Sequence, residues 1–170
     1  MYIYIITMDF EITNLPKKSF TVNDFYDLTV NRIVRLLGTE PLYTDELNRI
    51  GKELFGKKYL GTYPIDKIKL DKNGYMIVNT DESGESGEHW VAIIVDSKNV
   101  YVYDSYGRDT KNILPLLVQK AKKKKLKIVE SRRDAEQDDS KVYDRSTCGQ
   151  RSLAWLLVAS ELGVKNALKI

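Results

Sequence analysis

The sequence predicts a domain that mixes strands and helices around a covered central sheet, and three observations carry that expectation. Trp90-Val91-Ala92-Ile93-Ile94-Val95 is apolar on both faces, as a strand in the centre of a covered sheet must be. The run Leu153 to Ala159 makes the stretch Cys148–Leu162 apolar nearly all round, which marks a helix buried in the middle of a fold. Helical spacing of apolar residues recurs elsewhere, between turn signals that separate it from the strands.

Taken in order, residues 2–8 read as a β-rich strand. Thr21, or Asn23 just after it, can cap a helix that runs to about Leu37 and stops at Gly38, with Leu28, Ile33, Leu36 and Leu37 as its apolar stripe. A second helix follows Thr44, carries Leu47, Ile50, Leu54 and Phe55, and ends near Gly56. Residues 74–78, 90–95 and 100–103 read as strands. The segment 79–88 between the first two is a polar, glycine-containing loop. A helix is expected from Asn112 to about Lys124 with Pro115 in its first turn, then a short strand over 126–129. Ser146 or Thr147 caps the buried helix that begins at Cys148, and Gly163 stands where a left-handed terminator belongs.

The 170 residues carry no internal repeat or low-complexity linker and read as one domain, 1–170, 42% hydrophobic and 30% charged. A chain of this size buries enough surface to need no disulfide, and with one cysteine it can form none internally. A reducing compartment is the expectation. No apolar run approaches the roughly 18–20 residues of a membrane span, and the apolar start lacks a basic flank and a cleavage site. Membrane, collagen, coiled-coil and disordered classes are excluded. The balance of 27 Lys and Arg against 24 Asp and Glu is too mild to name a nucleic-acid binder.

The whole chain holds one histidine and one cysteine, so a Cys/His enzyme has no choice of pair. A thiol at a helix N-terminus feels the positive end of the backbone dipole and nearby unpaired N–H groups, and both favour the thiolate. Gly149 beside it leaves out a side chain, which is expected to make room for a substrate backbone. His89 follows the Gly/Ser/Glu loop and opens the central strand, where sites are commonly built. Asp104 ends the next strand. If Val95 and Val100 flank an even-length hairpin loop, Val91 opposes Asp104 and His89 is its diagonal neighbour. A carboxylate there could fix the imidazole tautomer. An odd loop would put Asp104 on the other face, and Asp104 could also simply start a turn with Ser105 and Gly107. Gln137, in the polar stretch before the cysteine helix, offers an amide N–H of the kind an oxyanion hole uses, alongside the Cys148 backbone N–H.

The order His, acid, Gln, Cys-Gly resembles the adenovirus maturation protease (adenain) family and its relatives, the SUMO-type deconjugating cysteine proteases. Leu60-Gly61-Thr62-Tyr63-Pro64, Ile77-Val78-Asn79-Thr80, Gly84, Gly87 and His89-Trp90 are similar to adenain in particular. The likeness runs over a catalytic core of 57–162, leaving 1–56 as a divergent N-terminal region. It implies an α+β fold: a mixed central sheet flanked by helices with the cysteine helix packed centrally, rearranged relative to papain. It also implies that His89 is the general base, Asp104 its orienting acid, Cys148 the nucleophile and Gln137 the oxyanion donor, with Trp90 and Gly149 at the substrate. The sequence departs from adenain in its Asp, in the 11 positions between Gln137 and Cys148, and in its shorter C-terminal part. It also has no second cysteine, so no disulfide-linked peptide cofactor is expected.

The resemblance implies a thiol endopeptidase of virion maturation, acting on viral capsid or core precursors in virion and host cytoplasm. A virophage or similar DNA-virus source fits the Lys/Ile/Tyr/Asn-rich composition. No metal is implied. Two other enzyme readings share the fold: a ubiquitin-like protein deconjugase, and an effector acetyltransferase, for which no acyl-CoA site is seen. The non-enzyme reading, a DNA-binding virion protein, rests on the basic run containing Lys122, Lys123, Lys124 and Lys125. Such runs are commonly solvated helix ends. Since adenain uses DNA as a cofactor, the same lysines are the expected place for DNA as an activator.

Overall fold

A computed structural model describes residues 20–131, 135–137 and 146–170. The strand expected over 2–8 lies outside the described residues. The first helix, α1 (Val22–Leu37), starts at Thr21, whose hydroxyl accepts from the Asp24 N–H while the Asp24 carboxylate accepts from the Thr21 N–H. That reciprocal pair satisfies two otherwise orphaned donors. The face it buries is Phe25, Tyr26, Thr29, Val30 and Ile33, the i, i+4 and i+8 rows. Leu28, expected in that stripe, is 45% exposed, because it sits more than a quarter-turn round from the Tyr26–Val30–Ile33 line. Helix α2 (Thr44–Phe55) buries Leu47, Ile50 and Phe55 as expected.

Five strands follow: β1 (Tyr59–Pro64), β2 (Gly74–Asn79), β3 (Trp90–Val95), β4 (Asn99–Tyr103) and β5 (Lys127–Glu130). They lie in chain order, β1-β2-β3-β4-β5, with the outer pairs parallel and the inner pairs antiparallel. The α+β class with a mixed sheet is what the structure shows, and β3 is its central strand. The β3–β4 hairpin pairs Val95 with Val100 and Ala92 with Tyr103, the even-loop register. Asp96 closes the turn by accepting from the N–H groups of Lys98 and Asn99. The next step along that register brings Asp104 opposite Val91, two residues from His89.

Alternation of side chains divides the strands between two layers. Ile77, Ala92, Ile94 and Tyr103 face α1, α2 and α5 (Cys148–Leu162). Met76, Val78, Val91, Ile93 and Val102 face Leu114, Leu117 and Ala121 on the opposite side. Each fully buried aliphatic side chain contributes about 1.5–3 kcal/mol. In the first layer Trp155 stacks on Tyr103 with ring centroids 5.4 Å apart, and its indole N–H donates to the Ala167 carbonyl of α6 (Val164–Ala167). The Tyr26 and Tyr103 hydroxyls are hydrogen-bonded to one another, joining α1 to β4.

Four local expectations change. The helix expected over 112–124 is two helices, α3 (Thr110–Ile113) and α4 (Pro115–Lys123). Pro115 lacks an N–H and crowds the residue before it, so Leu114 leaves the helical region (φ −134°, ψ 56°) and Pro115 opens a new helix. The last strand is shifted one residue, to 127–130. Thr147 is the N-cap of α5, but its side chain makes no capping bond. Gly163 has the expected positive φ (84°), yet its ψ of 153° lies outside the left-handed helical region, because the chain extends there before α6.

Candidate active site

The first turn of α5 carries Cys148, 8% exposed, into a cleft of about 490 Å³. His89, at the end of the loop that enters β3, and Trp90, the first residue of β3, line the same cleft. His89 is itself only 5% exposed. Its Nε2 is 2.5 Å from Oδ1 of Asp104, just past the end of β4. Cys148 is the other side chain whose hydrogen bonding and charge act on the imidazole, and Nδ1 is the ring nitrogen left free to face it. Three chemically suited side chains from three elements thus form one relay: thiol, imidazole, carboxylate.

The turn after β4 holds the carboxylate. The Gly107 N–H donates to the Asp104 carbonyl at 2.9 Å, and Gly107 takes a φ of 64°, a conformation open to glycine without strain. The chain therefore doubles back. The Arg108 N–H and Nε each reach Asp104 Oδ2 at 2.9 Å, and Nη2 reaches Oδ1 at 3.3 Å. Burial alone would raise the Asp104 carboxyl, but the bonds from His89 and Arg108 outweigh it and hold it well below the ordinary carboxylate range. Burial would likewise lower His89. The hydrogen bonds to Asp104 and Cys148 and their charges win, so its pKa lies above the ordinary histidine value. Both shifts favour an imidazolium–carboxylate pair.

Gln137 is buried against the same turn. The Ser105 hydroxyl donates to its Oε1 and its Nε2 donates to the Tyr106 hydroxyl, both at 2.8 Å. The Gln137 N–H donates to the Ser105 carbonyl. Tyr106 in turn stands 4.8 Å, centroid to centroid, from the His89 ring, and Arg108 lies 4.8 Å from the Tyr106 centroid. The structure therefore connects Gln137 to the histidine through Tyr106. Sequence reasoning named Asp104 as the orienting acid, with a turn through Ser105 and Gly107 as the alternative, and missed the contacts of Ser105, Tyr106 and Arg108. The signal available was an arginine four residues after the acid, with a glycine between to allow the return.

The cleft has two unlike walls. Pro41, Leu42, Tyr43 and Thr44, between α1 and α2, form one, and the 81–88 loop with its carboxylates Asp81, Glu82, Glu85 and Glu88 forms the other. The first wall is pinned from below: the Trp90 indole N–H donates to the Leu42 carbonyl at 2.9 Å, and Gln150 Nε2 donates to the Gly38 and Glu40 carbonyls. The second is anchored where the Ser83 N–H and hydroxyl donate to Asp66. The first wall lies in the region read as divergent, so that region completes the cleft.

Gly149 packs against this first wall. It does not line the cleft; a Cβ there would lie 3.3 Å from Leu42 Cβ and 3.4 Å from Leu47 Cδ2. The missing side chain admits Leu42 of the α1–α2 connection and Leu47 of α2. Trp90 does line the cleft, with its indole nitrogen committed to Leu42. Lys122 and Lys123 are exposed at the end of α4, followed by Lys124 and by Lys125 with a φ of 57°. They belong to the sheet layer opposite α5. Among the described residues, no cluster of three or more His, Cys, Asp or Glu side chains is placed to hold a metal ion, and no helix is long and apolar enough to cross a membrane.

No curated protein matches the chain in sequence. The family described as the Ulp1 protease family, C-terminal catalytic domain, has a model that matches residues 72–157, just over half of the 170. The matched stretch takes in β2 to β5, the Asp104–Arg108 turn and the first ten residues of α5, and so encloses His89, Asp104, Gln137 and Cys148. On that match, running through the elements that carry the thiol and the imidazole, the chain belongs to the Ulp1 protease family and is a cysteine peptidase.

Proposed function

We propose that Cys148, His89 and Asp104 carry out peptide-bond hydrolysis through a thioester, and the observation that supports it best is the Cys148–His89–Asp104 relay at the floor of the cleft. The Cys148 thiolate attacks the peptide carbonyl carbon. As the S–C bond forms and the C–N bond breaks, His89 gives its proton to the leaving amine. His89 then takes a proton from water, the hydroxide adds to the thioester carbon, and the S–C bond breaks to release the acid and return the thiolate. Asp104 keeps Nδ1 of the imidazole turned to the sulfur. The Cys148 N–H and the Gln137 amide hold the oxyanion.

The substrate in this reading is a viral capsid or core precursor cut at small residues such as Gly or Ala, processed in the virion and host cytoplasm. Its support is the likeness of 60–64, 77–80 and 84–90 to adenain. The enzyme works without a metal or a disulfide-linked peptide, its one cysteine being the nucleophile, and Lys122 to Lys125 are the contact for DNA as activator. The family match is equally compatible with a ubiquitin-like deconjugase using the same residues.

The test is stoichiometric labelling of Cys148 by a thiol-reactive peptide probe, lost on His89→Ala. A Cys148→Ala protein that cleaves at the wild-type rate overturns the mechanism. A ubiquitin-like propargyl probe separates the two substrates: reaction with it favours the deconjugase, and inertness together with peptide-probe labelling favours the endopeptidase.

A further inference from the structure

Outside the cleft, the edge strand β1 borders a second cavity, of about 400 Å³, lined by Lys57, Lys67, Lys69 and Lys72 around Tyr59, Leu60, Tyr63 and Met76. Its size is within the range of small-ligand sites. The one carboxylate in the lining among the described residues, Asp71, is already approached by the Lys124 ammonium at 3.7 Å. Lys67 is shared with Asp66 at 3.1 Å, and Lys57, Lys69 and Lys72 are exposed. The segment that supplies three of these lysines is fastened to α4: Lys120 Nζ donates to the Asp66 and Ile68 carbonyls, both at 2.9 Å. Packing therefore brings together two lysine-rich stretches that are 48 or more positions apart in the chain, 57–72 and 120–127.

The charge arithmetic shows how one-sided this is. The two stretches hold eleven lysines against two aspartates, nine net positive charges, whereas the whole chain carries +3. Everything else is thus six net negative. The Cys148 cleft is on the negative side of that division, with four carboxylates in its loop wall and, among the described residues, no lysine or arginine in its lining. An anion is repelled from the cleft and drawn to the lysine cavity. The two share no lining residue, although Pro64 at the end of β1 belongs to one and Tyr63 to the other.

We infer that this cavity binds a multiply phosphorylated anion. Ammonium groups are compact point charges that suit phosphate oxygens. Four of them around a partly apolar floor match several phosphates better than one. The inference is independent of the catalytic reading, since it uses none of the cleft residues.

The experiment is binding by the full chain, at 50 mM salt, of two probes: tripolyphosphate by calorimetry and a fluorescent single-stranded oligonucleotide by anisotropy. Binding of tripolyphosphate is expected to fall at least tenfold in Lys69→Glu/Lys72→Glu, with the melting temperature and peptide cleavage without anion unchanged. Oligonucleotide binding that competes with tripolyphosphate identifies a nucleic-acid backbone as the source. It should then weaken roughly 50-fold between 50 and 200 mM salt, the counterion release of about four contacts on a single strand. Tripolyphosphate binding without oligonucleotide binding identifies a free polyphosphate. No binding of either probe, binding unchanged in the double variant, or equal competition by poly-glutamate overturns the proposal.

Discussion

Asp104 Oδ1 lies 2.5 Å from His89 Nε2, while the same carboxylate takes three bonds from Arg108. The acid is thereby held ionised on one side and aimed at the imidazole on the other. Together with Cys148 it raises the pKa of His89, which burial alone pushes the other way.

Asp104→Asn should lower kcat by up to about 10⁴, the loss seen when the carboxylate that orients a catalytic histidine becomes an amide. The sign of the pH effect follows from the shift. His89 titrates above the ordinary histidine value, so its imidazolium persists to higher pH and the basic limb of kcat/KM lies above about 6.5. Without the carboxylate, Cys148 alone opposes burial and that limb moves to lower pH. A pH–rate profile of the variant with an unmoved basic limb contradicts this role.

Arg108 acts on the reaction through Asp104. Arg108→Gln should reduce kcat about tenfold with little change in KM, a loss at the low end for charge-assisted bonds because the guanidinium is 42% exposed. Arg108→Lys, which keeps the charge but not the two-point grip, should recover part of the rate. The basic limb should shift in the Gln variant and much less in the Lys variant. Equal losses and equal profiles in both variants mean that Arg108 only braces the turn.

Gln137 has two assignable jobs, the oxyanion and the turn. As an oxyanion donor its loss in Gln137→Ala costs about 10²–10³ in kcat. Gln137→Glu retains the acceptor for Ser105 but loses the donor, so it should not rescue. Steady-state kinetics decide it: a loss below tenfold in Ala, or recovery in Glu, leaves Gln137 with the Ser105–Tyr106 turn alone.

Gly149→Ala should destabilise the protein by about 1–3 kcal/mol, because Leu42 and Leu47 occupy the space for the new methyl. For a chain of this size each kcal/mol lowers Tm by about 2–4 °C. An unchanged Tm with a raised KM would instead return Gly149 to the substrate.

Much of the site was legible because it obeys local rules. A cysteine before an apolar helical run is placed at a helix start by the chain itself. The Val95–Val100 register follows from an even loop, and with it the approach of Asp104 to His89. The Arg108 grip was not legible, since it depends on Gly107 taking a positive φ inside a turn that many sequences would satisfy. Nor was the role of Gly149: leaving out a side chain can admit a ligand or a neighbouring segment, and only packing distinguishes them.

The sequence by itself determined the helices α1, α2 and α5 and the strands β2 to β4 to within a residue or two, the burial of β3 and α5, and the uniqueness of the Cys148 and His89 pair. These rest on periodicity, capping and composition, which act over a few residues. Only the tertiary structure decided that the segment between α1 and α2 walls the cleft, held by Trp90 and Gln150. It also decided that Lys57, Lys67, Lys69 and Lys72 line one cavity, with Lys120 and Lys124 holding the segment that carries three of them. Those relationships join residues 48 or more positions apart, where no pattern in the chain specifies a partner and only the packing of layers brings them into contact.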